Sequence, residues 1–200
     1  MNPKWHSRTG RWLLWPLGLL PLAWLVWQAR FVGLGPDPAE YLSGFSGEWA
    51  LWFLLAVLTV TPLQRHAGWS WLVPYRQPLG LLAWTYAGLH VLVYCALWLG
   101  WDWSALGADL KKRTYIVAGM FAYAMMWPLA LTSSRRARQR LGARWKKLHR
   151  LVYAIVLAAL LHVFWQSKGG VGDAALYALI VIVLLALRWR FRAPSIIETK

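Results

Sequence analysis

Six long stretches of this chain contain no Asp, Glu, Lys or Arg. A helix that spans a bilayer needs about 20 mostly apolar residues, because the hydrocarbon core is about 30 Å thick and an α-helix rises about 1.5 Å per residue. Charged residues make up 14% of the chain and hydrophobic residues 59%, so a soluble globule would lack the polar groups to cover its surface. The charge-free runs therefore predict spanning helices at residues 12–29, 50–64, 77–101, 114–134, 151–167 and 174–187.

We predict an all-α fold, a polytopic membrane bundle of six transmembrane helices, in one domain of residues 1–200 with its core helices at about residues 50–167. The first run follows several cations, as the apolar segment of a signal peptide does. Trp27, Gln28 and Ala29 offer no small-x-small cleavage site at its end, however. We therefore expect the first run to stay in the protein as a helix.

The cations are unevenly divided between the two ends of these helices. With the N-terminus in the cytoplasm, 17 of the 22 Lys and Arg residues fall on the cytoplasmic side, eight of them within residues 135–150. The positive-inside rule then favours both termini in the cytoplasm and an even number of crossings. The net charge of +15 is explained by membrane topology and by contact with the lipid bilayer, so we expect no nucleic-acid partner. The single cysteine, Cys95, excludes an intrachain disulfide and a cysteine-ligated metal cluster.

Two histidines lie deep in the apolar runs, where no acidic residue is found. His90 follows Gln77 by 13 residues, and His162 follows Leu148 by 14 residues. Both positions are roughly 20 Å from the cytoplasmic end of helices that run in the same direction, at about 1.5 Å per residue. Equal depth is what two axial ligands of one haem require, and neutral imidazole is a common iron ligand. We therefore predict His90 and His162 as the haem iron ligands, with electron transfer as the function.

The alternative is that each histidine only hydrogen-bonds a neighbouring helix, in a cofactor-free scaffold or a permease-like protein. The lack of acidic residues inside the runs weakens the permease version. Small residues near His90, namely Ala83, Ala87 and Gly88, could let a haem approach the backbone, but they are equally ordinary helix-packing positions.

A third histidine, His149, lies at the inner end of the fifth run, 13 residues before His162. On a straight helix the two rings are offset by about 220° and do not share a face. His149 is either the ligand of a second haem or part of the route by which electrons arrive. Its partner as a ligand is not obvious, because the matching position on the third run is Gln77; His66 could approach from the inner loop, although a solvated loop histidine is the simpler interpretation.

Three cations at the outer start of the fourth run, Lys111, Lys112 and Arg113, depart from the positive-inside tendency. They could neutralise haem propionates or dock an acidic partner face. Ordinary snorkelling of long side chains to the interface is the other interpretation.

Motifs spread over nearly the whole chain resemble a known family: the haem-binding membrane subunit of the bacterial protein-methionine-sulfoxide reductase system, the MsrQ or YedZ family of the ferric-reductase-like transmembrane group. The motifs are GLGPDPAEYLSGFSGEWAL, LLAVLTVTPL, LGLLAWTYAGLHVLVY, LKKRTYIVAGM, PLALTSS, RLGARWKKLHRLVY and LLHVFWQSK. Thr114 stands where we expect Pro, and Ser46 where we expect Thr. The family histidines fall on His90, His149 and His162, which the resemblance implies as ligands of one or two haem b groups.

The resemblance further implies a multi-pass protein of the bacterial inner membrane that is not itself catalytic. It would pass electrons from the quinone pool or a cytosolic flavin reductase to a periplasmic molybdopterin subunit, which reduces methionine sulfoxide in oxidised proteins. FMN is a further cofactor that the resemblance implies. After Arg188 only 12 residues remain, too few for a flavin and nicotinamide domain. We therefore expect the electron donor to be another molecule, which argues against the remaining alternative of a stand-alone ferric reductase.

Overall fold

The computed structural model describes residues 4–167 and 171–189, and these residues fold almost entirely into helices. The all-α prediction is confirmed. A 3-10 segment, Ser70–Tyr75, precedes the third helix, and a π-helical segment, Tyr94–Trp98, follows it. The α-helices of the described residues are α1 Lys4–Phe31, α2 Pro38–His66, α3 Arg76–Val93, α4 Trp103–Lys112, α5 Thr114–Leu131, α6 Arg135–Leu141, α7 Ala143–Leu148, α8 Leu151–Gln166 and α9 Val171–Trp189.

Five segments of the described chain are long and apolar enough to cross a membrane. They are Trp12–Phe31, Pro38–His66, Ser70–Trp98, Thr114–Leu131 and Ala143–Gln166, and they match the first five charge-free runs. The sixth run lies in α9, whose apolar part, Ala174–Arg188, is shorter. Six crossings with both termini in the cytoplasm therefore stay a prediction.

Local sequence signals explain where several helices begin. Asp37 caps α2 by accepting the backbone N–H of Glu40 at 2.9 Å. Asp102 caps α4 in the same way, and the hydrogen bond from the Ser104 side chain holds the pKa of Asp102 below its ordinary value, so this cap stays charged. Thr114 is the first residue of α5, where a backbone N–H needs no partner, so this position accepts Thr as well as the expected Pro.

Four helices, α2, α3, α5 and α8, form the centre of the bundle. The closest pairs are α2 with α3 and α5 with α8, and α3 also contacts α5. Apolar side chains fill the space between these helices and α9. The most buried of them are Leu55, Leu58, Ala83, Ile155, Val156 and Val181. This packing fixes the α2–α3 pair relative to the α5–α8 pair, and their relative position sets where the histidines lie.

α1 packs against α3 at a glycine. A Cβ atom at Gly18 would overlap the Leu82 side chain, so any other residue here would force Leu82 to move. Tyr86, which is 1% exposed, donates its hydroxyl to the Gly18 carbonyl oxygen at 2.9 Å. Because water is absent from the apolar interior, this hydrogen bond satisfies a hydroxyl that would otherwise be costly to bury.

A proline inside α2 creates the attachment point for α9. Pro62 has no N–H, so the carbonyl oxygen of Leu58, four residues earlier, lacks its helical donor. Arg188 supplies that donor: its Nη2 lies 2.6 Å from the Leu58 oxygen, and its Nη1 donates to the Tyr153 hydroxyl at 3.0 Å. One guanidinium thus ties α9 to both α2 and α8.

Candidate functional site

The structure brings His90 of α3 and His162 of α8 together. Their ring centroids are 5.9 Å apart and their planes are inclined at 84°. His90 lies one turn before the end of α3, and His162 lies one turn before the end of α8. Two helices that run in the same direction therefore deliver both rings to one level of the bundle, as the equal-depth prediction requires.

Each of these rings is held by a backbone carbonyl of another helix. The Nδ1–H of His90 donates to the Ser43 oxygen on α2 at 2.9 Å, and the Nδ1–H of His162 donates to the Tyr115 oxygen on α5 at 2.6 Å. A carbonyl oxygen can only accept, so Nδ1 carries the proton in both rings and Nε2 carries a lone pair. This is the usual arrangement of a metal-binding histidine, whose other ring nitrogen donates to a carbonyl or carboxylate.

Two glycines make room for the rings. A Cβ atom at Gly47 of α2 would lie 3.0 Å from His90 Nδ1, and one at Gly119 of α5 would lie 2.8 Å from His162 Nδ1. Sequence reasoning did not find these glycines or the two carbonyls. In both supports the carbonyl precedes its histidine by 47 residues and its glycine by four.

The spacing of the two rings fits a haem iron. An imidazole nitrogen binds a first-row metal at about 2.0 Å, so ring centres on opposite sides of one ion are roughly 6 Å apart. The observed 5.9 Å agrees with this value. In the part of the chain that the structure describes, His, Cys, Asp and Glu side chains form no cluster of three or more for a free metal ion. Two imidazoles equal the number of axial positions that a porphyrin leaves for protein ligands.

The space beside the small residues near His90 is filled by other side chains of the protein. Ala83 is fully buried in the core, and a Cβ atom at Gly88 would lie 2.8 Å from the Tyr123 hydroxyl of α5. Ala87 packs against the same core. Of the two interpretations of these residues, the structure favours helix packing.

His149 lies in the turn between α7 and α8, at the opposite end of α8 from His162. Its ring stacks on Trp145 with centroids 3.9 Å apart, and its Nδ1–H donates to the Trp145 carbonyl oxygen at 3.1 Å. The guanidinium of Arg138 lies 4.4 Å from the Trp145 ring on which His149 stacks. His66, at the end of α2, places Nε2 3.4 Å from the Leu187 oxygen of α9.

The three cations Lys111, Lys112 and Arg113 are not equivalent. Arg113 pairs with Asp109, Nε to Oδ1 at 3.5 Å, and Asp109 also accepts the Tyr94 hydroxyl at 2.9 Å. Lys111 and Lys112 are exposed at the end of α4. The two lysines, more than Arg113, are therefore available for an anionic group or an acidic partner face.

Comparison with known proteins shows the family of this chain. The family described as "Ferric reductase like transmembrane component" matches residues 46–160, which include His90 and His149 and end two residues before His162. The chain is 43% identical over 188 residues to the "Protein-methionine-sulfoxide reductase heme-binding subunit MsrQ" of Rhodospirillum rubrum, with 92% of this chain and 89% of the relative covered. No solved structure matches the chain. The chain therefore belongs to the MsrQ family of the ferric-reductase-like transmembrane group.

Proposed function

We propose that this protein is the haem b-binding, electron-transferring membrane subunit of a protein-methionine-sulfoxide reductase system. The observation that carries the proposal is the pair formed by His90 and His162, whose Nε2 lone pairs are free at a spacing that suits one iron. The relative from Rhodospirillum rubrum is named a heme-binding subunit of such a system, which supports the same assignment.

His90 and His162 would hold the haem through Nε2 of each ring. When bound, the haem would supply a one-electron iron couple. The protein's own residues fix the rest: the Ser43 and Tyr115 carbonyls set the tautomer and direction of each ring, and the apolar helices exclude water from it. A site built in this way transfers electrons, and the sulfoxide chemistry takes place on another polypeptide.

The finer parts of the proposal concern direction and partners. We place the histidine pair toward the periplasm and His149 toward the cytoplasm, in a bacterial inner membrane, from the distribution of cations in the sequence. Electrons would arrive from the quinone pool or a cytosolic flavin reductase and leave to a periplasmic molybdopterin subunit that repairs oxidised proteins. FMN stays a prediction from the resemblance, as does the choice for His149 between a second haem and the arrival route.

Electron transfer to the partner is expected to depend on its substrate. We expect the chemically reduced full chain to be reoxidised rapidly and completely, without oxygen, when a substoichiometric amount of the oxidised periplasmic reductase subunit and an excess of methionine sulfoxide are both present. Stopped-flow absorbance at the haem bands measures this rate. Equal reoxidation without the reductase subunit, by ferric citrate alone, would instead support a stand-alone ferric reductase.

Haem quantitation separates the two roles of His149. A pyridine haemochromogen assay gives haem per polypeptide for the wild type and for His149→Ala. A fall from two haems to one identifies His149 as a ligand, whereas one haem in both proteins leaves it on the arrival route. A colourless wild-type protein would favour the cofactor-free scaffold, in which Nδ1 of each histidine only bridges two helices.

A further inference from the structure

The two histidines rest on supports of the same design. In α2 the carbonyl of Ser43 accepts from His90, and Gly47 follows one turn later. In α5 the carbonyl of Tyr115 accepts from His162, and Gly119 follows one turn later. Each ring therefore lies against a helix surface that has no side chain at the contact point.

The contact distances show how tightly each ring is confined. A Cβ atom at Gly119 would approach His162 to 2.8 Å at Nδ1 and 3.0 Å at Cε1, and a Cβ atom at Gly47 would approach His90 to 3.0 Å and 3.2 Å at the same atoms. Carbon and nitrogen atoms in ordinary contact are about 3.5 Å apart or more. Any side chain at these positions would push the ring away or turn it, and turning it would weaken the Nδ1–H hydrogen bond to the carbonyl.

We propose that Gly47 and Gly119 are positioning residues that, together with the Ser43 and Tyr115 carbonyls, lock the two axial imidazole planes close to perpendicular around the iron. The inclination of the rings in the structure is 84°. The proposal rests on the proposed function, because it takes His90 and His162 as the two ligands of one haem.

The ring angle has an electronic consequence for low-spin ferric iron. Two parallel imidazole rings overlap with the same iron d orbital of π symmetry, which separates that orbital in energy from the second one. Two perpendicular rings overlap with one orbital each, so the two orbitals stay nearly equal in energy. Near-equal orbitals give a low-spin signal in electron paramagnetic resonance (EPR) that is dominated by one large g value. Parallel rings give three well-separated g values instead.

Fixed rings also suit electron transfer. Each ring is held by a neighbouring helix on the side of its Nδ1, so its direction does not depend on the charge of the iron. Preorganised groups of this kind need little rearrangement when the charge changes. The glycines would therefore limit how far the rings rearrange when the iron gains or loses an electron.

Low-temperature EPR of the oxidised full chain, purified in detergent, tests the ring angle. We expect the wild type to show the single large g value. We expect Gly119→Ala to shift this value downwards, and Gly47→Ala to shift it less, because its contact is longer. Gly44→Ala is the matched control on α2, since nothing lies within 4 Å of its added Cβ, and it should keep the wild-type spectrum. A second haem would contribute its own signal, which the glycine variants leave in place.

The outcomes separate this inference from the proposed function. A haem-containing wild type whose low-spin signals are all of the parallel type overturns the perpendicular arrangement but keeps the ligand pair. Glycine variants that bind haem with unchanged g values overturn the role of Gly47 and Gly119. A wild type without haem overturns the proposed function itself. If Gly119→Ala loses haem, the wild-type spectrum and Gly47→Ala decide between these outcomes.

Discussion

We expect His90→Ala and His162→Ala each to abolish the Soret band and the reduced α band of the histidine-pair haem in the purified protein. Removal of either imidazole takes away one of the two nitrogen ligands that would hold the iron. Absorbance spectra of equal amounts of purified protein, before and after reduction with dithionite, measure the loss.

Two controls distinguish the loss of a ligand from misfolding. His66→Ala removes a histidine at the opposite end of α2 from Ser43, which supports His90, and should keep the bands of the histidine-pair haem. Imidazole added during haem reconstitution should restore low-spin bands to His162→Ala, because it refills the space that the side chain leaves. Unchanged spectra in both ligand variants would reject the assignment of His90 and His162.

We expect Arg188→Met to lower the free energy of unfolding by about 1–3 kcal/mol. The substitution leaves the Leu58 carbonyl oxygen and the Tyr153 hydroxyl without the donor that Arg188 supplies in an apolar environment. Reversible unfolding in mixed micelles, followed by the helical circular dichroism signal, measures the change. Arg65→Met is the matched control. Its guanidinium is exposed and lies 3.5 Å from the Arg188 oxygen, so we expect a change within about 0.5 kcal/mol.

The proline explains why α2 needs this arginine, and a double-mutant cycle tests the explanation. Pro62→Ala returns an N–H to the position that normally donates to the Leu58 oxygen. In the Pro62→Ala background Arg188→Met should therefore cost less, by roughly 1 kcal/mol. Fully additive effects of the two substitutions would show that Arg188 does not act through the Leu58 carbonyl.

The sequence alone was sufficient to predict five long apolar helices and the meeting of the two histidines, but not the short helices α4, α6 and α7. Charge-free runs mark helices because each spanning helix must satisfy its own backbone and carry few charges. His90 and His162 could be matched in depth because helical rise is constant along each run. The family resemblance, read from motifs spread over the chain, is confirmed by the 43% identical relative.

The supports of the histidines could not be predicted, because they depend on the register between helices. Gly47 faces His90 only once α2 and α3 are packed, and the same holds for Gly119 and His162 across α5 and α8. Backbone carbonyls leave no sequence signal of their own. The third run is one long apolar segment in the structure, as predicted, but its helix changes from α to π at Tyr94, one turn after His90, which the sequence did not indicate. π-Helical turns are frequent next to functional sites, which agrees with the place of this one.

Resonance Raman spectroscopy of the oxidised full chain, solubilised in detergent, measures the coordination number and spin state of the haem iron directly. Two imidazoles on one iron require six-coordinate, low-spin haem in the wild type, with a five-coordinate or high-spin population appearing at that haem in His90→Ala or His162→Ala that has been reconstituted without imidazole. A wild type that is five-coordinate and high-spin, or that contains no haem, would contradict the joint ligation of one iron by α3 and α8.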